Sequence, residues 1–237
     1  MATLLTTGAG NSVNILTSGS TSVLIATTAA SNPGTPNTVT TAGVNTTGAN
    51  LIVVMAGYDA GFSGTSSAIP VVTDNMGNGS YTGLPRQNSA LGNAGNLFYF
   101  ANPTVGSGHT FTLTGTNTFP AIAVAAFSNA SSSPFDSQIG AGDAGSPSVN
   151  PVGGSVTPSS NNALIVTGCT YGAATATDAT NISGSFAIAS HVAANVGIAY
   201  GCGLAWWKQP TSSATNPQWT ISLIDHWTCE NAVFSGT

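Results

Sequence analysis

The apolar residues of this chain fall in short runs that either alternate with polar residues or stand continuous between turn formers. Over residues 109–118, Phe111 and Leu113 fall on one side, and Thr110, Thr112 and Thr114 on the other. This two-residue period predicts a half-buried strand. Residues 13–27 read as a hairpin turning at Ser18-Gly19-Ser20. Gly, Pro and Asn interrupt the chain every few residues, and the good helix formers Leu, Glu, Lys and Arg are scarce. No helical period survives such punctuation. The pattern predicts an all-β protein of antiparallel strands.

The pattern also repeats. The block 49–58, which opens Ala49-Asn50-Leu51-Ile52-Val53, returns at Asn162-Ala163-Leu164-Ile165-Val166 and runs on to Tyr171. Leu97-Phe98-Tyr99-Phe100 with Pro103-Thr104 returns as Leu204-Ala205-Trp206-Trp207 with Pro210-Thr211. Phe111-Thr112-Leu113-Thr114 returns as Trp219-Thr220-Ile221-Ser222, and Ala126-Phe127-Ser128 as Val233-Phe234-Ser235. The offset between copies changes only between blocks, where turns belong, because a slip inside a strand would reverse its buried face. Residues from about 33 to 140 and from about 145 to 237 are thus two copies of one unit, and residues 1–30 stand outside as an N-terminal β arm. Two architectures fit: two tandem sandwiches, or one antiparallel β-sandwich of jelly-roll type formed by both copies over residues 31–237. The short connection at 136–151, with Ile139 and Val149 as apolar anchors, favours a single body.

Charge narrows the functions. Of 237 residues only 4% are charged, and the cations are Arg86 and Lys208 alone. Ordinary soluble domains carry roughly a quarter. Such a chain cannot neutralise a phosphate backbone or an anionic membrane surface, so neither nucleic acid nor membrane is an expected partner. Its surface must be Ser, Thr, Asn, Gln and Gly, which hydrate well but give little repulsion between copies. No apolar stretch reaches the roughly twenty residues of a membrane helix. Met1-Ala2-Thr3-Leu4-Leu5 lacks the basic start and apolar run of a secretory signal, so none is expected. Cys169, Cys202 and Cys229 are odd in number and show no CxxC spacing, and are read as small buried apolar residues.

The run Leu97-Phe98-Tyr99-Phe100-Ala101-Asn102-Pro103-Thr104-Val105-Gly106-Ser107-Gly108-His109-Thr110-Phe111-Thr112, continuing to the segment 121–128, resembles a β-sandwich module of bacteriophage structural proteins and bacterial extracellular proteins. Val72-Thr73-Asp74-Asn75 with Gly77, Asn78 and Tyr81, and Ser155-Val156-Thr157-Pro158 before Asn162, resemble further signatures of it. The resemblance covers most of residues 33–170 and leaves the arm out. It implies a jelly-roll-like fold and a structural or adhesive setting, with no catalytic motif to carry over.

Candidate chemistry is sparse. Asp225, His226 and Glu230 lie close in sequence at positions where the first copy has no acid, and are read as a polar turn before the last strand. The run Asp74-Asn75-Met76-Gly77-Asn78-Gly79 spaces oxygen ligands somewhat like a calcium loop but lacks its carboxylates, so a plain turn is the reading. His109 and His191 are isolated and read as structural. No GxSxG, HExxH or P-loop occurs. No catalytic residue, metal or cofactor is therefore assigned, and the chain is read as non-enzymatic. Contact candidates are the aromatics and the arm. Trp206 and Trp207 face opposite sides of one strand; Trp207 and Trp227 are the candidate surface contacts, while Trp219 replaces Phe111 in the core. Val13, Ile15 and Leu24 are too apolar for a free tail and are expected at an interface. The expected role is a virion structural protein of a bacteriophage, a capsid decoration or cement protein or a fibre or tail part, assembled after cytosolic synthesis. Its partners would be other virion proteins and copies of itself. The alternative is an extracellular carbohydrate-binding or adhesive module of a secreted bacterial protein, with surface glycans as partners.

Overall fold

The computed structural model describes residues 22–32, 37–60, 69–115, 119–172, 176–195 and 199–236. These residues contain strands and turns but no helix, and every strand pair is antiparallel. The first half comprises β1 (Val23–Ser31), β2 (Thr38–Thr40), β3 (Leu51–Asp59), β4 (Val71–Asp74), β5 (Thr82–Gly83), β6 (Gln87–Asn88), β7 (Asn93–Ala101), β8 (Phe111–Thr114) and β9 (Ala121–Ser128). The second comprises β10 (Ala130–Gly142), β11 (Ala163–Tyr171), β12 (Ala179–Ile182), β13 (Ala187–Val192), β14 (Gly201–Gln209), β15 (Trp219–Ile221) and β16 (Trp227–Gly236).

Each half builds a large sheet and a small one. The large sheets run β1-β9-β3-β7-β5, with β6 also on β7, and β10-β16-β11-β14-β13. The small sheets run β2-β8-β4 and β12-β15. No sheet mixes described strands of the two halves. Register carries the internal repeat: Leu51 pairs with Phe127 and Ala101, as Leu164 pairs with Phe234 and Lys208.

The alternation of side chains explains the stacking. On β3, Leu51, Val53 and Met55 face a central core, while Ile52, Val54 and Ala56 face an outer one. On β11, Leu164 and Val166 join the central core, and Ala163, Ile165 and Cys169 a second outer core. The two large sheets therefore pack face to face, and each small sheet covers the far side of its own large sheet. Phe111, Leu113, Val39 and Val72 fill the first outer core; Trp219, Ile221, Ala179 and Ile182 fill the second. Burial on both faces is why β3 and β11 read as continuous apolar runs rather than alternating ones. Phe111, Leu113, Trp219 and Ile221 are buried while Thr112 and Thr220 between them are half-buried, as their alternation predicts.

Two assignments change shape in the fold. Residues 23–30, counted with the arm on sequence grounds, form most of β1, whose counterpart in the other half is β10 beside β16. The connection at 136–151 lies partly within β10, so its first part, to Gly142, is sheet rather than linker. The chain passes from β9 to β10 through Asn129 alone, whose left-handed backbone (φ 60°) suits Asn better than most residues. Val13 and Ile15 lie outside the described residues.

The halves meet with approximate twofold symmetry. Tyr99 of the first packs edge-on against Phe234 of the second, with ring centroids 5.5 Å apart. The repeat equivalents, Trp206 and Phe127, pack the same way in the opposite sense at 5.7 Å.

Candidate functional site

The fold separates the acids that sequence proximity grouped. Along β16, Glu230 points into the central core, whereas Asp225 and His226 lie in the preceding turn. His226 Nδ1 contacts Asp143 Oδ2, and Asp143 Oδ1 accepts the N–H groups of Ala90 (3.2 Å) and Gly145 (3.1 Å). Asp143 thus ties a turn of the first half to the start of the last strand. Asp225 accepts the His226 N–H at 2.7 Å and the Thr177 hydroxyl at 3.1 Å. Asp143 and Asp225 are buried and held by donors from the chain itself, which is the pattern of structural braces.

The Asp74 loop is a turn stabilised from within. Asp74 Oδ1 accepts the N–H of Met76 (2.9 Å) and of Asn78 (3.2 Å); Oδ2 accepts from the Asn78 amide and the Tyr81 hydroxyl, both at 2.8 Å. Burial by itself would raise the pKa of this carboxyl, but the donors from Asn78, Tyr81 and Met76 outweigh it and hold it below the ordinary value. His109 lies buried beneath, with Nδ1 2.8 Å from the Thr46 hydroxyl and Nε2 3.3 Å from Asp74, an ion-pair distance without an aligned hydrogen bond. Both oxygens are committed to N–H and O–H donors, which leaves a cation no open ligand set. Among the described residues no group of three His, Cys, Asp or Glu could hold a metal ion. His191 pairs with Asp178 at 2.8 Å near the surface.

The tryptophans sit deeper than their turn and strand positions suggest. Trp227 opens β16 and is only 7% exposed in the second outer core, because its alignment with Pro120 hides that β16 begins earlier than β9 in the repeat. Trp219 is fully buried, donating its Nε1–H to the Thr167 hydroxyl at 3.0 Å. Trp206 and Trp207 are both half-buried on opposite faces of β14, and Trp207 leans on Phe186 at 5.6 Å. Leu24, on β1, packs against the central core. The three cysteines are buried and unpaired; Cys169 and Cys229 face each other across β11 and β16.

Two surface features remain. The first is the outer edge of β1, which no described strand covers. It carries no charge and no proline, and Val23 and Ile25 are 46% and 38% exposed. Proteins usually blunt such an edge with charge, proline or bulges. Among the described residues, a single register shift between Leu24 and Ala26 is the device found here. β10, at the equivalent edge, has Pro134, Asp136 and two register shifts.

The second is an open groove of about 500 Å³ where β5 and the end of β7 meet the start of β10. Its lining includes Thr82, Tyr99, Phe100, Ser132, Ser133 and Phe135, with no charged residue. Linear sequence does not bring Tyr99 and Phe135 together, because the two lie on different sheets. The run Ser131-Ser132-Ser133-Pro134-Phe135 was its one local signal. No protein-family model, curated protein or solved structure matches this chain.

Proposed function

We propose that this chain is a virion structural protein, of the kind that decorates or cements a bacteriophage capsid or builds its tail or fibre, and that it works by adhesion between subunits. The observation that carries this reading is the bare edge of β1, nine residues without charge or proline. The N–H and C=O groups along that edge, which pair with no described strand, suit main-chain pairing with a strand of a neighbouring subunit. The nearly neutral surface supports it further: of seven acids, Asp143, Asp225 and Glu230 are buried, so little repulsion opposes contact between copies. The strand order of the first half supports a jelly-roll reading. The orders β1-β9-β3-β7 and β2-β8-β4 alternate between two facing sheets as the strands of a jelly roll do, and we read each half as one jelly-roll sandwich.

Light scattering after size exclusion, and co-sedimentation with particles from the source virus, test the reading. The protein should self-associate or sediment with particles, and Ile25→Lys, which places a charge on the edge, should suppress both while the circular dichroism stays β. A monodisperse monomer at high concentration that ignores particles would refute it.

A further inference from the structure

We propose that the groove between β7 and the start of β10 is a binding site for a neutral hexopyranose unit of a glycan. The site is independent of the β1 edge and of subunit adhesion.

Its walls are built rather than incidental. Between Ala130, opposite Gly236, and Phe135, opposite Phe234, β10 loops out by several residues. Asn50 clamps the base of that loop, donating to Ala130 O at 2.7 Å and accepting from Ala130 N at 3.0 Å. Asn102, in a left-handed conformation (φ 54°), donates to Ser132 O at 3.1 Å. Two side chains of the first half therefore fix a loop of the second, with Ser132 and Ser133 exposed at its crest and Pro134 buried beneath.

The floor is aromatic. Phe135 lies nearly parallel to Tyr99, at 10° and 5.5 Å between centroids, and Phe234 supports both rings from the side at 6.2 and 5.5 Å. Phe135 is 38% exposed although it has this support, so part of its ring is presented to the groove. A ring held in this way stacks on a flat apolar face without losing further side-chain freedom.

The polar groups complete the match. Four hydroxyl-bearing residues, Thr82, Tyr99, Ser132 and Ser133, line the groove. A pyranose offers an apolar C–H face for the ring and hydroxyls around its rim that both donate and accept, which is what these four groups require. No charged side chain lines the site, so nothing repays the desolvation of an anionic or cationic ligand. The volume of about 500 Å³ lies within the range of small-ligand sites and exceeds one sugar ring, which leaves room for a chain to continue.

The full chain carries a net charge of −5 and migrates in a native gel, so retardation by embedded polymer reads binding directly. Hydroxyethyl cellulose, soluble starch, galactomannan and dextran serve as neutral probes, with alginate as the charged one. Retardation by at least one neutral polymer, relieved by the matching free oligosaccharide, is the expected result. Phe135→Ala should weaken it roughly tenfold, the loss of one aromatic contact. Ser132→Ala with Ser133→Ala removes hydroxyls without touching the core and should weaken it as well, whereas Ile224→Ala, on a remote exposed turn, should leave it unchanged. The proposal falls if no neutral polymer retards the protein, if alginate alone does, or if the Phe135 and serine variants are retarded like the parent while circular dichroism shows them folded.

Discussion

Glu230 offers the most quantitative test of how the halves are joined. It projects from β16 into the central core with no exposed surface, and its Oε2 accepts the backbone N–H of Leu97, in the other half, at 2.7 Å. That N–H lacks a strand partner for a visible reason. Leu97 O accepts from Leu84 N at 2.8 Å, so its N–H points to the same broken edge, yet Leu84 O is taken by the Asn96 amide at 2.8 Å. The cross-strand neighbours of Glu230 are Gly168 and Gly140, which leave room for its side chain. Burial pushes the carboxyl up to about 8, with the Leu97 hydrogen bond pulling weakly the other way. A raised carboxyl pKa means that the folded state holds its proton more tightly than the unfolded state does. Its contribution to stability is therefore full below pH 4.5, falls as the unfolded chain ionises, and is lost once pH passes about 8. At about 1.4 kcal/mol per pH unit, the span from 4.5 to about 8 amounts to at most roughly 5 kcal/mol. Glu230→Gln keeps the acceptor for Leu97 and cannot ionise. Urea unfolding followed by tryptophan fluorescence from pH 5 to 9, parent against E230Q, isolates this group because every other titration cancels. The variant should match the parent within about 1 kcal/mol at pH 5. It should then gain several kcal/mol on it by pH 8.5, within the ceiling of roughly 5 kcal/mol. Parallel pH profiles would refute the reasoning.

Leu113→Ala and Ile221→Ala each empty an outer core beneath a small sheet and should lower unfolding free energy by about 2–5 kcal/mol, read from urea midpoints; a loss under about 1 kcal/mol would place those side chains outside the core. Gly95→Ala inserts a methyl group where the Thr228 hydroxyl and, at 2.8 Å, the Met55 methyl already sit. It should destabilise by about 1–3 kcal/mol in the same assay, against almost no change if the large sheets can part freely.

The alternation at Phe111–Leu113, the recurrence of Leu51 at Leu164 and of Phe127 at Phe234, and the absence of helix formers determined the strand class, the duplication and the register within each half. These are local or linear properties: a period of two assigns a face, and a repeated block repeats its pairings. What alternation could not determine was which face met which partner. Both faces of β3 and β11 are apolar, so the pattern is silent on whether the copies exchange strands or stack through their large sheets; only packing decided that they stack. The same holds for β1, whose residues lack a repeat match yet stand where β10 stands, because an edge is defined by its neighbours in space. Glu230 was legible only as an acid near Asp225 and His226, and tertiary structure turned it toward Leu97 instead, since it stands inside β16 facing the central core while the other two stay in the turn before that strand. The Tyr99–Phe135 groove is likewise a product of packing alone: its two rings come from different sheets, joined by a loop whose shape depends on Asn50 and Asn102 reaching across the interface between the halves.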